Sequence, residues 1–223
     1  MNDLQLIKTM DGSHTLFVPS LSEHYHSTYG AIQESTHVFV KTGFDFIANK
    51  LDTINILEIG MGTGLNVFLT YLENCKINKT VNYYAVEPNA LSEKILISLN
   101  YTEIIGSNID IFQNIHNCEW EKLFDFGNRF KFEKTQKSIQ SVMFNKKFDL
   151  IYFDAFAPDK QSEMWTNLVF EKIFNHMNTN GVLVTYCAKG VVRKILKDSG
   201  FFIEKLPGSP GKREMTRAVK LQY

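Results

Sequence analysis

The run Glu58-Ile59-Gly60-Met61-Gly62-Thr63-Gly64 sets one acid and three alternating glycines directly behind the apolar stretch Ile54–Leu57. The segment Leu65–Leu72 that follows has a helical pattern. Strand, glycine-rich turn and helix start, in that order, make a nucleotide-type binding loop of an α/β sheet. Lacking a Cβ, glycine reaches dihedrals closed to other residues and lets a ligand approach the backbone. A dinucleotide fingerprint places its third glycine one position later, where this chain has Leu65. The spacing left is the loop form associated with S-adenosylmethionine, in which Glu58 and the amides of Gly60, Gly62, Thr63 and Gly64 line the cofactor's methionine portion. A plain tight turn is the bland alternative.

Two further acids close apolar runs of strand type. Glu87 follows Val81–Val86, and Asp154 follows Phe148–Phe153. In an open α/β sheet, ligands bind beyond the carboxyl ends of the strands. Glu87 lies roughly 20–30 residues past the glycine loop, where an acid accepts hydrogen bonds from a ribose. Its competing role is to cap the helix after Pro88. Asp154 opens the setting D-A-F-A-P and could orient an incoming amine and share its proton, or cap the next helix. Phe156 and Trp165 are candidates for a stacking wall, with core packing as the alternative for each. His24 and His26 flank Tyr25 in a loop that could close over a site. No third ligand accompanies them, so no metal is expected. His14, His37, His116 and His176 read as structural.

The elements that must position these groups alternate. Leu4–Thr9 and Thr15–Val18 flank Asp11-Gly12 as a hairpin, Ser20–Ser27 reads as a loop, and Val38–Asn49 as a helix with Phe39, Phe46 and Ile47 for a buried stripe. Strands are expected at Asn55–Ile59, Val81–Val86, Phe130–Glu133, Phe148–Phe153 and Gly181–Tyr186. Helices are expected at Leu65–Leu72, Leu91–Leu99, Ile109–Phe124, Trp165–Met177 and Val191–Ser199, the last stopped by Gly200. Phe201–Leu206 and Arg217–Leu221 flank the loop Pro207–Gly211 as a final strand pair. This order implies a Rossmann-like α/β domain: a doubly wound, mostly parallel sheet with an antiparallel edge at its carboxyl end. Residues 1–223 read as one domain, with 1–50 an N-terminal hairpin and helix extension and 51–223 the cofactor-binding core.

The chain has 223 residues, 44% of them hydrophobic, which suits one globular α/β domain and excludes disorder. No apolar run reaches the roughly 18–20 residues of a membrane span, and the start Met1-Asn2-Asp3-Leu4 shows no signal peptide. Three scattered cysteines, Cys75, Cys118 and Cys187, form neither a disulfide framework nor a zinc pattern, so a cytoplasmic location is expected. The 24 basic and 24 acidic residues balance, but unevenly along the chain. Between Tyr186 and Tyr223 nine basic residues face three acids, a net +6. That asymmetry suggests a basic face for an anionic partner; a solvated helix and edge strand is the alternative.

Taken together, the motifs resemble the tRNA 5-(aminomethyl)uridine and 5-aminomethyl-2-thiouridine methyltransferases, a family of single-domain MnmD enzymes and the methyltransferase half of two-domain MnmC enzymes. The resemblance lies in Glu23-His24-Tyr25-His26-Ser27, Gly30–Ser35, the Glu58–Asn66 run and Phe153–Pro158. It continues through Met164-Trp165, Thr185-Tyr186, Ala188-Lys189-Gly190, Val192-Arg193 and Gly211-Lys212-Arg213-Glu214-Met215. It implies methyl transfer from S-adenosylmethionine to the amine of a 5-aminomethyl wobble uridine, with tRNA as partner and no membrane or obligate protein partner. By resemblance, Glu58, Gly60, Gly62, Gly64, Asn66 and Glu87 hold the cofactor, and Asp154 lies beside the methyl group. The Ser27–Glu34 segment (Tyr29 and Glu34 included), Lys189–Arg193 and Lys212–Met215, with Arg213 and Glu214, border the substrate pocket. The family's third-strand F-G-D signature has no counterpart here; Phe132-Glu133-Lys134-Thr135 stands in its place. No oxidoreductase half is present in the sequence, so FAD is not expected. The rival readings are a small-amine N-methyltransferase and a non-catalytic RNA-binding module.

Overall fold

A computed structural model describes residues 3–222; Met1 and Asn2, which enter the expectation of no signal peptide, and Tyr223 lie outside the described residues. The amino-terminal strands β1 (Gln5–Lys8), β2 (His14–Val18) and β3 (Glu23–His24) form a small antiparallel sheet. The expected hairpin is there. Ser20–Ser27 is not wholly loop, because Glu23 and His24 pair with Val18 and Phe17. Two residues are too few for a periodic signal.

Next comes one helical run in three parts: α1 (Ala31–Ser35), a π-helical stretch (Thr36–Phe44) and α2 (Asp45–Ala48). It starts seven residues before the expected helix. The wider turn buries Val38, Phe39, Val40 and Phe44, whereas Phe46 stays half-exposed and carries the Arg217 guanidinium on its ring at 3.7 Å. Gly43 brings the run against the sheet; a Cβ there would lie 3.0 Å from Val184 and 3.1 Å from Leu150 and Tyr152.

The core is an eight-stranded sheet built from β4 (Thr53–Ile59), β5 (Thr80–Val86), β6 (Phe124–Asp125), β7 (Phe130–Thr135), β8 (Phe148–Phe153), β9 (Met177–Thr185), β10 (Phe202–Pro207) and β11 (Glu214–Val219). Its order is β10-β11-β9-β8-β4-β5-β7-β6. The strands β9, β8, β4, β5 and β7 run parallel. β11 enters antiparallel between β9 and β10, and β6 adds an antiparallel edge at the other side. Alternate side chains feed two cores. Ile54, Ile56, Tyr83, Leu150 and Val184 face the core under the π-helical run, α3 (Leu65–Ile77) and α6 (Ile109–Asn117). Leu57, Ile59, Tyr84, Ile151 and Phe153 face the core under α7 (Asn167–Asn175) and α8 (Gly190–Asp198). Burial on both faces explains why these strands read as apolar runs without alternation.

The segment between β5 and β7 departs most from expectation. Leu91–Leu99 holds only a four-residue α4 (Glu93–Leu96), an unforeseen α5 spans Tyr101–Ile105, and α6 ends at Asn117 rather than near Phe124. Trp165 precedes α7, following a 3-10 turn at Ser162–Met164. Among the described residues, no helix is long and apolar enough to cross a membrane.

Candidate active site

The carboxyl ends of β7, β5, β4 and β8 open into one cavity of about 410 Å³. Its floor is the loop after β4, where Gly60, Met61, Gly62 and Thr63 all line it. Gly60 (φ +87°) passes so near β8 that a Cβ would lie 2.5 Å from the Asp154 carbonyl oxygen. Gly62 (φ +51°) faces the ring of Tyr25, 3.0 Å from where its Cβ would stand. Gly64 does not line the cavity; at φ +73° it begins α3 and fits against His116. The glycines thus form a cradle that side chains would fill.

Glu87 closes one side of the cradle. Its carboxylate accepts the Gly62 amide at 2.9 Å and the Asn89 amide at 2.8 Å, which leaves lone pairs for two ligand hydroxyls. Burial nonetheless pushes its pKa up, against the pull of those amides. Pro88, Asn89, Ser138 and Ile139 extend this wall. The place of the missing F-G-D signature is therefore taken by the loop after β7. Lys134, from that region, points away and donates to the carbonyls of Ile115 and His116.

Asp154 stands two strands from Glu87, about 10 Å away at ordinary strand spacing. Its Oδ2 accepts from Asn66 Nδ2 at 2.9 Å, and the same amide group donates to Glu58 Oε1 at 3.0 Å. Asp154 lines the cavity, while Glu58 and Asn66 do not. The two residues expected to contact a cofactor instead lie behind Asp154 and orient it through one shared amide. Glu58 is fully buried, and Glu58 Oε2, Asn66 Oδ1 and the Tyr83 hydroxyl complete no hydrogen bond among the described residues. Desolvation pushes Glu58 up to about 8 and Asp154 up to about 7; the Asn66 amide opposes both shifts, and Glu34 adds to that of Asp154.

Both folded pKa values exceed the ordinary ones, so the stability these groups confer is complete below about pH 4 and is lost as pH rises through 7 and 8. Glu58→Gln, which keeps the shape but does not titrate, should flatten the fall in unfolding free energy between pH 5 and 8 by roughly 2–4 kcal/mol, at about 1.4 kcal/mol per pH unit. Urea melts across that range would measure it. Parallel pH curves for the two proteins would refute the assignment.

The remaining wall comes from the amino-terminal sheet and the β10–β11 loop. Tyr25 packs edge-on against Phe156 with centroids 5.0 Å apart. His26 lines the cavity and reaches Thr63 Oγ1 at 3.4 Å; burial pushes it down to about 4, so it is neutral near pH 7. Tyr29 and Glu34 line the cavity as expected, and Lys212 joins them through an ion pair with Glu34. Lys189, Arg213 and Glu214 line an adjoining groove instead. Two expectations are corrected. Trp165 is 4% exposed, buried in the core, with its Nε1 donating to the Phe156 carbonyl at 2.7 Å, so it supports Phe156 without touching the cavity. Arg193 clamps α8 to β11 through Glu214 at 2.7 Å, Thr216 at 3.0 Å and the Met215 carbonyl at 3.1 Å. Tyr25, Tyr186 and Gln161 line the cavity but were not singled out, although Tyr25 and Tyr186 stood inside matched motifs.

The basic carboxyl region is less free than its charge suggests. Lys189 pairs with Asp159, Arg193 with Glu214, Lys194 with Asp198, Lys212 with Glu34 and Arg217 with Glu204. Among the described residues, Lys197, Lys205, Arg213 and Lys220 carry no ion pair, and Lys220 donates to the carbonyls of Phe174 and Met177.

Residues 111–221 match the family described as S-adenosyl-L-methionine-dependent methyltransferase. Over its whole length the chain superposes on a crystal structure of MNMC2 from Aquifex aeolicus with a TM-score of 0.79 and 27% identity, covering 72% of that chain. This is an S-adenosyl-L-methionine-dependent methyltransferase fold. The cradle fits that cofactor, with a glycine floor for close approach and, in Glu87, an acid that keeps lone pairs open to ligand hydroxyls. The chain is also 27% identical over 214 residues to the tRNA 5-methylaminomethyl-2-thiouridine biosynthesis bifunctional protein MnmC of Burkholderia multivorans, covering 90% of this chain and 33% of that protein. A protein of Methanocaldococcus jannaschii, MJ0670, is 27% identical over 220 residues, with 59% of its length covered. The chain thus spans about a third of the bifunctional relative. The resemblance drawn from the motifs is borne out by these matches, as is S-adenosylmethionine as cofactor.

Proposed function

We propose that the protein transfers a methyl group from S-adenosylmethionine to the primary amine of 5-aminomethyluridine, with or without 2-thiolation, at the wobble position of tRNA. The observation that carries this reading is Asp154, a desolvated carboxylate opening into the same cavity as the glycine cradle. When bound, S-adenosylmethionine supplies an electrophilic methyl group on a positively charged sulfur. The protein's own task is to present an uncharged amine to it. An alkylamine arrives as an ammonium and cannot attack until it loses a proton. Asp154, pushed up to about 7, accepts that proton far more readily than an ordinary carboxylate. Asn66 and Glu58 hold its orientation, and Phe156 and Tyr25 give a base an aromatic wall. An anticodon base is already unpaired, so extruding it into the cavity costs little.

Incubation with S-adenosylmethionine and tRNA bearing 5-aminomethyluridine, followed by nucleoside mass spectrometry, should show conversion to the methylaminomethyl form. No conversion with the cofactor bound would refute the substrate and turn the search to other amines.

A further inference from the structure

Beside the main cavity lies an outer groove of about 490 Å³, bordered by Pro158, Lys189 and Arg213. Tyr186 and Lys212 line both spaces. The Lys212 ammonium is held in the dividing wall, bonded to Glu34 Oε1 and 4.2 Å from the centroid of the Tyr186 ring. Both faces of this cage are fixed from behind. Glu34 Oε2 accepts the Ser27 amide at 2.7 Å, and the Tyr186 hydroxyl donates to the Ala155 carbonyl at 2.8 Å, one residue from Asp154. The loop carrying Lys212 is seated as well, since Gly211 (φ +81°) packs so closely on Tyr29 that a Cβ would lie 2.3 Å from its ring.

A carboxylate and an aromatic face are the groups that recognise an alkylammonium. A substrate amine entering beside Asp154 is itself an alkylammonium, so Lys212 already fills the seat that suits it. The Glu34 side chain is 8% exposed and stays in place, whereas Lys212, 33% exposed on a flexible four-carbon stem, can leave. The outer groove gives it somewhere to go: Arg213, which has no ion pair among the described residues, borders it, together with Lys189, held by Asp159, and Glu214, the groove's acid, is already paired with Arg193.

We propose that Lys212 is a specificity gate: a built-in cation that holds the amine's seat against free amines and vacates it when an RNA phosphate enters the outer groove. The inference rests on the reading of the site as one that methylates an amine carried by RNA. A substrate without a phosphate there has to compete with Lys212 for Glu34 and Tyr186; a tRNA removes the competitor as it docks.

The test compares the protein with its Lys212→Met variant, in which the stem over Tyr186 is kept and the charge removed. On the free nucleoside 5-aminomethyluridine, kcat/KM should rise at least about fivefold. On tRNA bearing the same base it should fall at least about tenfold. Adding Glu34→Gln should cancel the gain on the nucleoside, and retained S-adenosylmethionine binding confirms that each variant is folded. Equal losses on nucleoside and tRNA would overturn the gate, and an unchanged nucleoside rate with a fall on tRNA alone would overturn it and leave Lys212 a simple phosphate contact. Failure of the parent protein to methylate tRNA would instead refute the proposed substrate. In that case titration of ethylammonium chloride into the S-adenosylhomocysteine complex still judges the gate: binding at least about fivefold tighter in Lys212→Met supports it, and equal binding overturns it.

Discussion

Replacing Asp154 by alanine should lower kcat by about two to four orders of magnitude, the range for loss of a positioned proton acceptor, while S-adenosylmethionine still binds. The cradle proposed for the cofactor is made by the loop after β4 and by Glu87, and none of its hydrogen bonds involves the Asp154 side chain. The native enzyme should also show a pH signature. Asp154 accepts a proton only when ionised, so kcat/KM should fall about tenfold per unit below pH 7 and level off above it. Asp154→Asn separates orientation from proton transfer, because the amide keeps the shape and loses the basicity. A variant that binds cofactor, has under about 1% of the parent rate and lacks this limb meets the expectation. Full activity in Asp154→Ala would remove the residue from the mechanism.

The second large effect is expected at the glycine cradle. Gly62→Val should abolish cofactor binding, a change of at least about a hundredfold in Kd by calorimetry. Two costs coincide there. The backbone sits at φ +51°, which a β-branched residue adopts only with strain, and its Cβ would meet the Tyr25 ring at 3.0 Å. The added methyls enter the space a ligand would take over the loop. A Gly62→Ala variant, with the smaller intrusion, should fall between the two. Cofactor affinity unchanged in Gly62→Val would mean that the ligand lies elsewhere.

The parts of this architecture legible in the residues were those with a local physical signature. Buried parallel strands ending in Glu58, Glu87 and Asp154 show as apolar runs closed by an acid, and the glycine spacing marks the turn between β4 and α3. The parts that were not legible depend on partners distant in sequence. Nothing local marks a π-helix at Thr36–Phe44, because its wider turn is held by packing against β8 and β9 and by Gly43. Trp165 and Phe156 have the same aromatic character, yet only the fold decides that one backs the other. Glu58 reads as a ligand group because the glycine-loop form sets an acid beside the turn; its placement behind Asn66 is visible only once β4 and β8 are side by side. The charge of the carboxyl region misled in a similar way, since two of its ion-pair partners, Glu34 and Asp159, lie outside that region.

The sheet order has a consequence for how such a site changes over generations. Glu87, the glycine loop and Asp154 ride on adjacent strand ends, whose spacing is set by backbone pairing and does not depend on which side chains vary nearby. Tyr29 lies between β3 and α1, Glu34 on α1, and Lys212 and Arg213 on the β10–β11 loop, none of which belongs to those strand ends. Under the proposed function, substitutions in these segments change which amine is accepted while the strand pairing that carries the glycine loop is kept. The two sides still touch where Tyr25 of the amino-terminal segment packs against Gly62, so substitutions that respect this contact are the ones expected to change the acceptor alone.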